Sequence, residues 1–127
     1  MERLGSKKGR QYFDTGARPS HVTFDDGWQR KRNFPWAHYV EARWDYEEPE
    51  TIHVTIGNWL VVIVGHNVAP LYAAIEEHTL TRVCAHPEYD RSPTHDDDTF
   101  ATEIRFTKPP SKNFVRQPGQ IDFDLLG

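Results

Sequence analysis

The sequence predicts an α+β domain: an antiparallel sheet of about five or six strands with one main helix packed on one face. Three observations carry that expectation. Apolar and polar residues alternate over 36–46, 51–56 and 100–107. A Gly57-Asn58 pair separates two apolar runs. Val68, Leu71, Tyr72 and Ile75 recur at i, i+3, i+4 and i+7, the spacing of one helical stripe.

Trp36, His38, Val40, Ala42, Trp44 and Tyr46 share one face of the first long strand, because successive side chains alternate across a sheet. After the acidic break at 47–50 the alternation resumes, with Ile52, Val54 and Ile56 inside and Thr51, His53 and Thr55 outside. Directly opposed residues share a face, so Trp44 is set against Val54 and Tyr46 against Ile52, leaving 47–51 as the loop. Gly57 can take the positive φ that a type II′ hairpin demands, which joins this strand to the next. There Trp59, Val61 and Ile63 lie on one face and Leu60, Val62 and Val64 on the other. A strand apolar on both faces is expected to be central and covered on both sides.

Asn67 is positioned to cap a helix starting at Val68 and ending near His78, with Pro70 tolerated in the first turn. A further strand is expected over 80–86, a polar loop over 87–98, and a last strand in which Phe100, Thr102, Ile104 and Phe106 alternate with polar or small residues. Pro109-Pro110 ends it.

This core, 34–108, is flanked by a basic N-terminal arm, 1–33, with one or two short strands, and by a tail, 109–127. Residues 1–32 hold eight basic and four acidic side chains (+4), leaving seven and fifteen (−8) for the remainder. Such asymmetry suits an arm that meets phosphate or folds onto an acidic body. The tail keeps Phe114, Val115, Ile121, Phe123, Leu125 and Leu126. It, the arm or a second subunit is expected over the face bearing Leu60, Val62 and Val64.

At 127 residues the chain is one domain's worth of protein, against about 100 to 200 per domain. Its longest apolar run, 59–64, is six residues, whereas a membrane helix needs about 20. No apolar stretch follows Arg3, Lys7, Lys8 and Arg10, so no secretory signal is read and a cytoplasmic location is expected. Cys84 is the lone cysteine, which excludes an internal disulfide and reads as a small buried hydrophobe in a reducing compartment.

Catalytic motifs are not assembled in the sequence. Ser6, Ser20, Ser92 and Ser111 fall in loops outside any GxSxG elbow. Seven histidines form no HExxH. Gly65-His66-Asn67 lacks the further glycines of a dinucleotide turn and the lysine of a P-loop, and reads as a strand-to-helix connection. The densest polar cluster is His95-Asp96-Asp97-Asp98, preceded by His86, Glu88 and Asp90. His95, Asp96 and Asp98 are the candidate ligands of a divalent ion there; a solvated acidic loop is the preferred reading, and no cofactor is called for.

Trp28, Arg30, Lys31, Arg32 and Trp36 interleave cations with stacking surfaces. Single-stranded nucleic acid binds such segments, but the chain is acidic overall, with a pI near 5.9. Protein interfaces favour the same residues in their buried centres. The function expected is therefore a small protein-interaction or regulatory module without catalytic activity. Its contacts are Trp28, Arg30, Lys31, Arg32, Trp36, Leu60, Val62 and Val64, and its partner is another protein or a second copy in a homodimer. A metal-dependent enzyme built on the loop near residue 95 and a single-stranded nucleic-acid binder using 28–36 are the alternatives.

Overall fold

The computed structural model of the chain describes residues 10–86 and 97–108. In chain order the elements are β1 (Phe13–Thr15), β2 (His21–Asp25), β3 (Lys31–Pro35), a 3-10 turn (Trp36–His38), β4 (Tyr39–Arg43), β5 (Thr51–Ile56), β6 (Trp59–His66), α1 (Ala69–Glu76), β7 (Leu80–Cys84) and β8 (Phe100–Thr107). The domain is mixed α+β and mostly strand, as expected, but its strands form two four-stranded sheets, β1-β7-β2-β3 and β4-β5-β6-β8, where one was expected. Neighbours are antiparallel except β2 and β7, which run parallel.

The division falls at Pro35. Its ring fixes φ, here −71°, and the chain turns through Trp36–His38 before re-entering an extended path at Tyr39. The run 36–46 is thus a turn, a five-residue strand and a loop. An irregularity between Tyr39 and Glu41 then breaks the alternation. Val40 points outward at 65% exposed and Tyr46 is fully exposed, so neither joins the buried face assigned to it. His38 is exposed as well. Ala42, not Trp44, opposes Val54, and Arg43 opposes His53. Ala42 keeps the expected face, but the register slipped by two positions, so the β4–β5 connection runs over 44–50.

The β5–β6 hairpin forms as predicted, with Ile56 opposite Trp59. Gly57 has φ +60° while Asn58 stays out of the positive region, the pattern of a II′ turn. Ile52, Val54 and Ile56 are fully buried. The α1 stripe buries Val68, Leu71 and Ile75. Asn67 does not cap the helix: the cap residue is Val68. Asn67 takes φ +50° and donates its side-chain amide to the Asp97 carbonyl at 2.8 Å, tying the helix start to the approach of β8.

Residues 10–33, read as an arm, supply β1, β2 and the start of β3, and bury Val22 and Phe24 completely. One core joins Val22, Phe24 and Phe34 from the first sheet to Ile52 and Ile63 from the second and Leu71 from α1. Backbone bonds also lock the first described residues to the last strand: Tyr12 N–H donates to Thr99 and Thr99 N–H to Arg10, both at 2.8 Å.

Strand β6 is central, paired with β5 and β8. Its inner face fills the core. On its outer face Val62 is 7% exposed between its cross-strand neighbours His53 and Arg105, while Leu60 and Val64 are half-buried. The tail expected over this face lies outside the described residues. Among the described residues no helix is long and apolar enough to cross a membrane.

Candidate binding surface

The tip of the β2–β3 hairpin, 26–30, is built around two adjacent aspartates. Asp26 Oδ1 accepts the backbone N–H groups of Trp28 (3.0 Å), Gln29 (2.8 Å) and Arg30 (3.0 Å). Its own N–H donates to the Arg30 carbonyl at 3.1 Å. Asp25, 7% exposed, accepts the Gly27 N–H on Oδ1 and the Arg82 guanidinium on Oδ2 at 3.0 Å, and its carbonyl accepts the Ala85 N–H. A tip so tied has little freedom left to lose on binding. It holds Trp28 out into solvent, 80% exposed.

Desolvation raises the Asp26 pKa, but the backbone donors of Trp28, Arg30 and Gln29, with the Arg30 charge, outweigh it and hold the carboxyl below its ordinary value. A depressed carboxyl stabilises the tip above the unfolded-state pKa and ceases to do so as pH falls through the folded one. The Trp28, Gln29 and Arg30 amide resonances are therefore expected to hold steady from neutrality through the ordinary aspartate range and to shift together only below it. Resonances that move at the ordinary aspartate pKa would contradict this geometry.

Two concavities flank Trp28. A cleft of about 670 Å³ lies between the tip and the end of β7, lined by Trp28, Arg30 and Lys31 on one side and Arg82, Cys84 and His86 on the other. A groove of about 370 Å³ lies between the tip and Ile104, Arg105, Phe106 and Thr107 of the sheet-edge strand β8. Trp28 and Arg30 line both. Cys84 is half-buried and faces the cleft, its sulfur 3.3 Å from His86 Nε2. Burial, then the Asp25 charge, pushes its thiol pKa up, so it remains a protonated thiol beside the imidazole and not an activated thiolate.

The contact residues expected from sequence separate into four places. Trp28, Arg30 and Lys31 converge on the cleft. Arg32 turns inward, its guanidinium carbon 3.9 Å from the Trp59 ring centroid and 5.6 Å from that of Phe106, joining β3 to the second sheet by cation–π contact. Its Nε is buried without a hydrogen-bond partner among the described residues. Trp36 is 6% exposed, stacks on His78 at 4.7 Å and donates Nε1–H to the Leu80 carbonyl, so it has almost no surface to offer a partner. Leu60, Val62 and Val64 lie on the outer face of β6.

Of the candidate metal ligands, His95 and Asp96 lie outside the described residues. Asp98 is 3% exposed and accepts the Arg10 N–H at 2.8 Å, an engagement that anchors the N-terminal chain. A different trio of ligating side chains comes together unforeseen: single ligand atoms of Asp45, Glu48 and His53 lie within 4.8 Å of one another. His53 Nε2 meets Glu48 at 3.2 Å, and Asp45 is paired with Arg43 at 3.1 Å.

Arg82 and Cys84 were not foreseen as site residues, and His86 was read only as a neighbour of the acidic loop near residue 95. All three stand at alternate positions at and just beyond the end of β7, and only the parallel β2–β7 pairing brings them to the hairpin, more than fifty residues away in sequence.

The fold and this surface define a small two-sheet α+β domain with a rigid, aromatic-tipped hairpin. No protein-family model, curated protein or solved structure matches the chain.

Proposed function

We propose that the chain is a small interaction module that acts by contact rather than catalysis, docking another protein through the Trp28 hairpin. A single observation carries the reading: a tryptophan 80% exposed on a tip whose backbone is fixed by its own aspartates. Holding so large an apolar ring in water opposes stability unless a partner covers it, and tryptophan and arginine are the residues that dominate binding energy at interfaces. Arg30 and Lys31 beside it suit a partner with carboxylates at the rim, where opposite charge speeds encounter. The outer face of β6, through the half-buried Leu60 and Val64, is the second contact, for a second copy of the chain; Val62, 7% exposed, has almost no surface left to offer. A cytoplasmic setting belongs to the same proposal.

Trp28→Ala tests it. Because the ring makes little of the fold, stability should stay within about 0.5 kcal/mol, while partner affinity should fall by about 2 kcal/mol or more, some thirtyfold. Proteins retained by the immobilised wild type should be lost from the immobilised variant, measured side by side. Identical retention by both would remove the hairpin from the interface.

Single-stranded nucleic acid is the second reading, favoured by the same ring with two cations in one cleft. It predicts retention on an oligonucleotide that falls steeply with salt and disappears in Arg30→Ala with Lys31→Ala. Arg32, stacked on Trp59, is not expected to contribute.

A further inference from the structure

Away from the hairpin, a pocket of about 280 Å³ opens where the β4–β5 loop meets α1, lined by Trp44, Asp45, Tyr46, Pro49 and Tyr72. That is room for one side chain, short of the roughly 300 Å³ at which small-molecule sites begin. Tyr46 is fully exposed and Trp44 is 36% exposed. The Trp44 and Tyr72 rings meet at 5.4 Å between centroids with a 46° tilt, so they form two walls of a corner. The indole is fixed by Nε1–H donating to the Pro49 carbonyl at 3.0 Å, and the Tyr72 hydroxyl lies 3.5 Å from the Ala42 carbonyl.

Those bonds decide what the pocket can accept. The indole donor is spent, which disfavours a ligand that must be given a hydrogen bond, such as a proline-rich strand presenting carbonyls. The pocket offers aromatic faces and the Asp45 carboxylate, whose Oδ2 also accepts from Arg43 Nε at 3.1 Å, and both attract a cation. Around it Asp45, Glu47, Glu48 and Glu50 face one cation in the same stretch, Arg43, and Glu76 follows Tyr72 by one helical turn. So many carboxylates exceed what a lone monovalent head needs, and complement a chain with several positive charges. An unmodified lysine would bring three N–H groups into an apolar corner with few acceptors. A methylated ammonium has fewer or none, and presents its charge through methyl groups that pack on rings.

We propose that Trp44, Tyr46 and Tyr72 with Asp45 form a recognition pocket for a methylated lysine on a basic peptide. This goes beyond the hairpin reading and shares no residue with it.

Calorimetric titration of the full chain tests it with four probes: an Arg/Lys-rich peptide carrying one trimethyllysine, the same peptide unmodified, the same peptide with an uncharged tert-butyl isostere, and choline chloride. The trimethylated peptide is expected to bind about tenfold tighter than each of the others. Trp44→Ala and Asp45→Asn should erase that preference. Tyr46→Ala should weaken it in a protein whose folding cannot depend on a fully exposed ring, which keeps the test valid if Trp44→Ala misfolds. Equal affinity for the three peptides would reduce the site to general acidity, and an isostere as good as the cation would make it a plain apolar slot. Choline binding as tightly as the peptide would point to a small-molecule site, and no binding by any probe would dismiss a cation site; each of these four results overturns the proposal.

Discussion

Gly65→Ala is expected to cost about 3 kcal/mol or more of folding stability, enough to leave much of a marginally stable domain unfolded. A Cβ at this position would lie 2.2 Å from the Phe100 carbonyl oxygen and 3.1 Å from the Ala101 Cα. Both neighbours are backbone, so no rotamer change relieves the overlap, and the strands must separate. They meet where β6 and β8 shift register between Val64 and Gly65, and where the Gly65 N–H also donates to the Glu50 carbonyl. Gly57→Ala is the control: a Cβ there meets nothing within 4 Å, and only the φ of +60° is unfavourable. It should cost about 1 kcal/mol. Urea unfolding of the two variants separates the effects, and similar midpoints would mean that the β6–β8 approach is looser than described.

Phe24→Ala is expected to cost about 3 to 5 kcal/mol, the range for removing a large buried ring from a packed interior. Phe24 has no exposed surface, lies 6.1 Å from the Phe34 ring between centroids, and is paired on either side with Arg32 and Val83. The substitution asks whether residues before 34 are an appendage or part of the fold. A detached arm would lose less than about 0.5 kcal/mol. The full cost, read as a shift in denaturant midpoint at unchanged slope, makes β2 as integral as β6.

The contrast between these two positions explains what the sequence could reveal. Ile52, Val54, Ile56 and the Gly57-Asn58 turn were legible because alternation and turn chemistry act between near neighbours, and the Leu71 and Ile75 stripe was legible for the same reason. The partition into two sheets was not, since it depends on β2 lying parallel to β7, a pairing across more than fifty residues with no local signature. Trp36 to Tyr46 misled because a proline before the run and an irregularity inside it each shift the phase of the alternation. At the candidate surface, Trp28, Arg30 and Lys31 stood out by composition alone. Arg32 stood out equally, and only the packing of Trp59 beneath it withdraws it from the surface. Trp44, Tyr46 and Tyr72 gave no warning: the first two were assigned to a buried strand face and the third to the helix stripe, and it took the slipped register to bring them to a common corner.

The bonds between Tyr12, Thr99 and Arg10 have a further consequence during synthesis. Ribosomes add about 5 to 20 residues each second, so the first strands emerge seconds before the strand that completes them. Until Phe100–Thr107 has left the exit tunnel, β6 lacks one neighbour, and the beginning of the chain has nothing at Thr99 to hold. The nascent polypeptide therefore spends that interval with one edge of β6 unpaired. Folding of this domain should therefore wait until β8 has emerged from the ribosome, with the need for chaperone protection greatest just before that point.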